Sequence, residues 1–100
     1  MKPIVYLSGP MSGLPESNYP AFHNAAAQLR DAGYTVINPA ENPTPPCGSW
    51  AGFMRMAVRQ VAAADAIAFL PGWEQSRGAK VESDLADVLG LQRIRLVVQP

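Results

Sequence analysis

The sequence predicts an α/β domain in which helices cover both faces of a parallel β-sheet. Short apolar runs, typical of strands buried on both faces, alternate along the chain with longer segments of helical periodicity. The resulting order βαβαβαβ implies parallel strands, because each strand is joined to the next through a helix. Right-handed crossovers then favour the strand order 2-1-3-4 in a sheet of four or five strands.

A long loop separates the first strand from the first helix. Residues 3–7 form an apolar run rich in β-formers, which we interpret as a buried strand. The loop from Ser8 to about Asn18 is rich in glycine, proline and serine, and loops of this length tend to be functional. Asn18 is expected to cap a helix that ends at Gly33. The predicted apolar stripe of this helix consists of Phe22, Ala25, Ala26 and Leu29.

The middle of the chain is predicted to form a second strand, an irregular loop and a second helix. Residues 34–37 have the composition of a strand. The segment 38–48 contains four prolines, and it is therefore expected to be irregular. Ser49 is a suitable cap for the second helix. The predicted buried face of that helix consists of Trp50, Phe53, Met54, Ala57 and Val61, of which Trp50 and Phe53 are expected in the core or at an interface.

The last part of the chain completes the pattern with two strands and a helix. The third strand is predicted at residues 65–70, the third helix from about Gly78 to Leu89, and the fourth strand at residues 94–98. Because no repeat or domain boundary is evident, residues 1–100 are predicted to form one domain, a three-layer sandwich of the flavodoxin or Rossmann type. The residues of the third helix that are expected to face inward are Val81, Leu85, Val88 and Leu89.

The composition excludes several classes of protein. Hydrophobic residues make up 48% and charged residues 16% of the 100 residues, as in a globular domain rather than a disordered chain. The formal net charge is zero, which argues against a nucleic-acid polymer or an anionic membrane as the main partner. With one cysteine and one histidine, neither an internal disulfide nor a zinc site is expected. Since no signal peptide or membrane span is evident, we expect a soluble, cytoplasmic protein.

Two loops are predicted to converge on one crevice. In an open parallel sheet, ligands bind beyond the carboxyl ends of the strands, where the strand order reverses, here between the first and third strands. The first is the loop from Ser8 to Asn18, and the second is the loop from Pro71 to Gly78. The second loop opens a helix whose N-terminus favours an anion and should keep the nearby Glu82 ionised, close to the hydroxyl of Tyr6. Such a pocket suits a sugar or a phosphorylated small molecule. Its expected lining consists of Tyr6, Ser8, Gly9, Ser12, Gly13, Ser76, Arg77, Gly78 and Glu82.

Three segments together resemble the nucleoside 2-deoxyribosyltransferase superfamily. They are YLSG at residues 6–9, GYTVINP at residues 33–39 and, as the most specific, LPGWEQSRGAKVE at residues 70–82. The chain is most similar to the short, phage-associated branch, which is related to the 2′-deoxynucleoside 5′-phosphate N-hydrolases. The resemblance implies an enzyme that cleaves the N-glycosidic bond of a small-molecule nucleoside or nucleotide without a metal or organic cofactor. Because relatives complete their sites as dimers, it also implies a homodimer.

The resemblance implies a role for three residues. Glu82 is the implied nucleophile that attacks the anomeric carbon, and Tyr6 is the implied phenol that positions it. Six positions before the nucleophile, base-exchanging transferases typically carry aspartate, whereas the 5′-monophosphate hydrolases carry serine. Ser76 at this position favours a phosphate-bearing ligand, because a second carboxylate would repel the phosphate.

The chain departs from the superfamily pattern at two positions. An aspartate that assists departure of the base usually stands on the second helix, eight positions before the residue that opens the third strand. Counting back from Asp65 leads to Ala57. Since such assistance is typically worth about 10²–10⁴-fold in rate, its loss implies a slow enzyme or none. At the position of the phosphate-binding arginine of the monophosphate hydrolases, this chain has Ser12, and Arg77 is a candidate substitute.

Each candidate residue also has a simpler structural interpretation. Glu82 would complement the helix dipole, and Ser76 would cap the helix, without any ligand. Arg77 would be a solvated loop charge, and Tyr6 a strand aromatic. Trp73 would either stack on a nucleobase or pack against the protein.

Three hypotheses about function follow from these alternatives. The first is an N-glycosidase or deoxyribosyltransferase acting on a nucleoside 5′-monophosphate. The second is a catalytically weak or inactive nucleotide-binding protein of the same fold, which the alanine at position 57 favours. The third is a structural or interaction module with an incidental pocket.

Overall fold

Parallel strands and helices alternate along the chain. The computed structural model describes residues 3–11, 13–42 and 48–96, and no helix within these ranges is long and apolar enough to cross a membrane. Short 3₁₀ turns cover Pro15–Asn18, Pro39–Glu41 and Trp73–Gln75. The strands and helices are β1 (Ile4–Ser8), α1 (Tyr19–Asp31), β2 (Thr35–Ile37), α2 (Trp50–Ala63), β3 (Ala66–Phe69), α3 (Arg77–Leu89) and β4 (Gln92–Ile94).

The sheet has the order β2-β1-β3-β4, and every neighbouring pair is parallel, so the predicted topology is confirmed. In the centre of the sheet, Tyr6 of β1 lies opposite Ile37 of β2 and Ile67 of β3. Asp65 fixes the start of this pairing, because its backbone N–H donates to the carbonyl of Ile4 at 2.8 Å. Its carboxylate also accepts a hydrogen bond from the backbone N–H of Ile4 at 2.9 Å.

The two faces of the sheet have separate hydrophobic cores. Successive side chains of β1 point to opposite faces, so Val5 and Leu7 face α1 while Tyr6 and Ser8 face α3. Besides Val5 and Leu7, the α1 side contains Phe22, Ala25, Ala26, Leu29, Val36, Ala66, Ala68 and Leu70. The opposite side contains Tyr6, Ala57, Val61, Ala64, Ile67 and Ala86. This division decides which β1 side chains can reach the third helix.

The predicted buried face of α3 was largely wrong. Val81, Val88 and Leu89 are exposed, and Leu85 is half-buried. The side chains that point inward have helical spacing but are small or polar, because small side chains let a helix pack closely and Glu82 finds hydrogen-bond partners on β1. The buried residues of α3 are Ala79, Glu82, Ser83 and Ala86.

Two predicted element ends also need correction. Asn18 does not cap α1 with its side chain, since it adopts a left-handed conformation (φ 61°) and its Nδ2 donates to the carbonyl of Pro10 at 2.9 Å. The fourth strand pairs at Gln92–Ile94 instead of residues 94–98. The reason is that Gly90, with φ 71°, ends α3 so tightly that pairing begins two residues later. Residues 97 and 98 of the predicted strand lie outside the described residues.

Candidate functional site

Three buried polar side chains meet where β1 ends against α3. The hydroxyl of Tyr6 donates to Oε2 of Glu82 at 2.9 Å, and the hydroxyl of Ser8 donates to Oε1 of the same carboxylate at 2.5 Å. Tyr6 and Ser8 are each 1% exposed and Glu82 is 6% exposed. Both carboxylate oxygens are therefore held in place by donors from a part of the chain more than 70 residues away in sequence.

Strand and helix geometry explain why these side chains meet. Tyr6 and Ser8 are two residues apart on β1, so they project from the same face of the sheet. Glu82 lies between Ala79 and Ala86 on the buried face of α3, where its small neighbours let the helix approach the strand. The contact between Tyr6 and Glu82 was expected from the convergence of the two loops.

Burial dominates the electrostatics of this cluster. It raises the pKa of the Glu82 carboxyl above its ordinary value, while the hydrogen bonds from Ser8 and Tyr6 stabilise the carboxylate and partly offset that effect. The expectation that the helix N-terminus would keep Glu82 ionised did not include this effect of burial. Burial, followed by the adjacent carboxylate, holds the pKa of Tyr6 well above its ordinary value.

The cluster forms the floor of a cleft of about 850 Å³. One side is formed by the loop after β1, where Gly9 packs so closely that a Cβ atom there would lie 2.8 Å from Cβ of Leu70. The opposite side, which we call the α2 wall, consists of Trp50, Phe53, Met54, Met56 and Ala57. The cleft thus combines a polar floor with a mainly apolar wall, a common composition for small-molecule sites.

The N-terminus of α3 opens into the same cleft. Oγ of Ser76 accepts a hydrogen bond from the backbone N–H of Ala79 at 3.2 Å, which leaves the hydroxyl proton of Ser76 able to donate. The backbone N–H groups of Arg77 and Gly78 lie in the first turn, where a helix supplies no acceptor. The guanidinium of Arg77 stacks over the indole of Trp50, 3.8 Å from the ring centroid. Donors and one cation are therefore gathered at this end of the cleft.

The structure brings most of the predicted site residues together. Ser76, Arg77 and Gly78 line the cleft at the N-terminus of α3. Ser12 lies outside the described residues, and Gly13 is exposed and is not part of the cleft lining. The remaining predicted residues that do line the cleft are Tyr6, Ser8, Gly9 and Glu82.

Trp73 does not face the cleft. Its ring stacks on Phe69, with the centroids 4.4 Å apart, and it lines a separate depression beside β4. Of the two alternatives for this residue, packing against the protein is the one that the structure supports. Trp73 is therefore removed from the candidate site.

Apart from Ala57, the sequence prediction missed the α2 wall as part of the site. Trp50 and Phe53 were predicted to belong to the core or to an interface, but they are 42% and 45% exposed and they line the cleft. Helical periodicity places these residues near the buried face, yet it cannot distinguish a side chain that faces the core from one that faces a cavity. Within the described residues, no group of three His, Cys, Asp or Glu side chains is placed to hold a metal ion.

Comparisons with known proteins agree with this architecture. The fold matches a 2-deoxyribosyltransferase from Leishmania mexicana with a TM-score of 0.70 and 19% identity, covering 93% of this chain and 63% of that one. It also matches a 2-deoxyribosyltransferase from Bacillus psychrosaccharolyticus with a TM-score of 0.72 and 21% identity, covering 96% of this chain and 77% of that one. This chain therefore spans less than two thirds of the length of the first enzyme.

Sequence comparisons identify the family. No curated protein sequence gives a significant match. The family model described as a domain of unknown function, DUF4406, matches residues 3–95, which is nearly the whole chain. The chain therefore belongs to the DUF4406 family and has the fold of the 2-deoxyribosyltransferases.

Proposed function

We propose that this protein cleaves the N-glycosidic bond of a (deoxy)nucleoside 5′-monophosphate, with Glu82 as the nucleophile. The observation that carries the proposal is the buried carboxylate at the floor of the cleft, oriented through both of its oxygens by Tyr6 and Ser8. A carboxylate used merely to complement a helix dipole gains nothing from such burial, because burial disfavours its charged form. The fold shared with 2-deoxyribosyltransferases supports the same class of reaction.

The proposed reaction passes through a covalent intermediate. One oxygen of Glu82 attacks the anomeric carbon, the bond to the base breaks, and the sugar is left as an ester of the glutamate. Water or a second base then attacks the same carbon and releases the carboxylate; with water, the proton that the water loses balances the proton that the departed base takes up. Tyr6 and Ser8 hold the carboxylate in its attacking orientation in both steps, so that little reorganisation is needed.

The N-terminus of α3 is the proposed phosphate site. The hydroxyl of Ser76 and the first-turn N–H groups of Arg77 and Gly78 supply donors, and the helix dipole favours an anion at this position. The guanidinium of Arg77 lies at the same end of the cleft, held against Trp50. A phosphate bound here leaves the sugar directed toward Glu82 and the base toward the α2 wall.

Measuring the release of free base tests the proposal. The protein is incubated with deoxynucleoside and nucleoside 5′-monophosphates and with the matching unphosphorylated compounds, and released base is quantified by chromatography. We expect base release from at least one 5′-monophosphate, faster than from its unphosphorylated counterpart, and none above background with Glu82→Gln. Equal rates for the 5′-monophosphate and its unphosphorylated counterpart would contradict the proposed phosphate site. Full activity of Glu82→Gln would contradict the assignment of Glu82 as the nucleophile.

A second candidate function is a nucleotide-binding protein that has lost catalysis. The apolar Ala57 in the cleft wall, where the superfamily usually has an aspartate, favours this alternative. Thermal unfolding with the same compounds separates it from a protein with an incidental pocket, since a ligand at 100 times its Kd stabilises the folded state by about 2.7 kcal/mol. Stabilisation without base release supports the binding protein.

We also propose that the protein forms a homodimer through the exposed side of α2. Trp50, Phe53 and Val58 are all more than one third exposed on this helix, and clusters of exposed large apolar side chains mark interfaces. Sedimentation velocity across a concentration series measures the mass of the particle directly. Replacing Val58 with Lys, outside the cleft lining, is expected to shift the equilibrium toward monomer.

A further inference from the structure

The charged groups of the cleft suggest which base this protein can release. Among the residues that line the cleft, Glu82 and Arg77 carry formal charges. The α2 wall, where the base is expected to lie, presents aromatic, thioether and methyl groups. The undescribed positions 1–2, 12, 43–47 and 97–100 contain no Asp, Glu or His. Within one subunit, the described cleft lining therefore offers a nucleophile but no second carboxylate or imidazole beside the base.

A neutral base requires a proton donor when it leaves. When the bond from the sugar to a neutral heterocycle breaks, the electron pair moves to the ring nitrogen, which becomes an anion unless an acid protonates it. Glu82 acts as the nucleophile, and the hydroxyl of Tyr6 already donates its hydrogen bond to Glu82. Ala57, in the wall, has no proton to give. A base that carries a positive charge before cleavage needs no such donor.

We infer that the cleft is suited to N-glycosides whose glycosidic base is already cationic, such as a pyridinium or an N7-alkylated purine attached to a sugar 5′-phosphate. This inference rests on the proposed function. The ligand is then a zwitterion whose charges match those of the cleft, with the phosphate near Arg77 and the cationic ring near the carboxylate of Glu82. Since Arg77 already covers the ring of Trp50, the other large wall side chains that line the cleft and can contact the cation are Phe53, Met54 and Met56.

The reaction balances without an acid. A Glu82 oxygen forms a bond to the anomeric carbon, and the electron pair of the broken bond neutralises the positive charge of the base, which departs uncharged. Water then attacks the anomeric carbon, the ester bond returns its electrons to Glu82, and the water loses one proton to solvent. The sum is one water consumed, and one neutral base, one sugar phosphate and one proton released.

A matched pair of substrates tests the inference on the unmodified protein. 7-Methylguanosine 5′-monophosphate and guanosine 5′-monophosphate differ by one methyl group and the charge it brings, and the pair is also run in the 2′-deoxy series. Nicotinamide mononucleotide provides a second cationic base. We expect base release to be at least about 10²-fold faster from the methylated compound, the lower range of what an acid catalyst supplies. Background is measured without protein and with Glu82→Gln, and proton release is followed with a pH indicator.

The outcomes separate this inference from the proposed function. Equal rates, or faster release of the neutral base, would overturn the inference while leaving the N-glycosidase proposal intact. No base release from any cationic or neutral compound would overturn the proposed function and this inference with it. Faster release of the cationic bases, with one proton for each bond cleaved, supports both.

The variant Ala57→Asp provides an independent test, with Ala57→Ser as a matched control that adds a polar group but no acid. Ala57→Asp is expected to raise the rate for guanosine 5′-monophosphate and to reduce the preference for the methylated compound at least tenfold, whereas Ala57→Ser leaves the preference unchanged. If the Ala57→Asp variant is folded, as judged by circular dichroism, and its preference for the methylated compound is unchanged, the inference is contradicted. Should the aspartate variant not fold, the substrate pair on the unmodified protein remains decisive.

Discussion

The floor of the cleft and its α2 wall are built in opposite ways. At the floor, Tyr6, Ser8 and Glu82 are almost completely buried and every carboxylate oxygen has a donor. In the wall, Trp50 and Phe53 are more than 40% exposed and contribute aromatic surface. A buried hydrogen-bonded carboxylate has one allowed orientation, whereas an open apolar surface accepts ligands of different shapes. Reactivity is therefore expected to reside in the floor and selectivity for the base in the wall.

Removing the carboxylate from the floor is expected to have the largest effect. Glu82→Gln keeps the size of the side chain, and its amide can still pair with the two hydroxyls, but it cannot act as the nucleophile. For a 5′-monophosphate with a neutral base, we expect base release to fall by at least about 10³-fold with ligand affinity nearly unchanged. Single-turnover base release, together with ligand titration by calorimetry, measures the two quantities separately. A parallel loss of affinity and rate would instead assign Glu82 to binding.

Removing one donor from the floor is expected to have a smaller effect that depends on pH. Base release should increase as the pH rises through the pKa of Glu82, because the carboxylate is the reactive form. Tyr6→Phe removes a hydrogen bond that stabilises the carboxylate, so the pKa of Glu82 rises further and the acidic limb of the rate profile moves to higher pH. The expected rate loss at neutral pH is about 10- to 100-fold, as for a hydrogen bond to a charged group.

Tyr34→Phe is the matched control for this prediction. Tyr34 is a half-buried tyrosine that packs against the core on the α1 side of the sheet, away from the cleft. Tyr34→Phe should retain the pH dependence of base release of the unmodified protein. If Tyr6→Phe lowers the rate without moving the acidic limb, Tyr6 acts through packing and not through the carboxylate.

The phosphate end of the cleft is tested by comparing two helix caps. Ser76 caps α3 and Ser49 caps α2 with the same geometry, each accepting a hydrogen bond from the N–H three residues ahead. Replacing either with alanine should cost about 1 kcal/mol of stability through the lost cap. Only Ser76→Ala is expected to weaken binding of a 5′-monophosphate relative to the nucleoside, by about tenfold. If the affinity for the 5′-monophosphate relative to that for the nucleoside is the same in the two variants, Ser76 acts only as a helix cap.

The smallest predicted effect concerns stability. The pKa of Glu82 is raised in the folded state, so protonated Glu82 stabilises the fold. This contribution to the free energy of unfolding is fully present below the ordinary pKa near 4.5 and is lost as the pH rises through the pKa of the folded state. Glu82→Gln should therefore melt a few degrees higher than the unmodified protein at pH 7, the shift expected for about 1 kcal/mol. The difference should shrink as the pH falls below 4.5. The exposed Glu74, replaced in the same way, is the matched control for a carboxylate that is not buried.

The floor of the cleft could be predicted from the sequence more fully than its α2 wall. The strand order and the meeting of Tyr6 with Glu82 follow from alternation and from the topology rule for parallel sheets, both of which depend on local patterns. That Phe53 lines the cleft could not be predicted, because periodicity identifies an apolar side of a helix but not what lies against it. The inward face of α3 was missed because a buried glutamate with two partners replaced the apolar residue that the pattern requires.

Detecting the covalent intermediate tests the central claim most directly. The protein is mixed with a substrate that releases base, quenched in acid within one turnover, digested and analysed by mass spectrometry. We predict that the peptide containing Glu82 carries the added mass of one glycosyl phosphate group, which is the sugar phosphate less one water, and that Glu82→Gln gives neither this adduct nor base release. Base release by the unmodified protein with the added mass on another residue, or undiminished release by the variant, would contradict the assignment of Glu82 as the nucleophile.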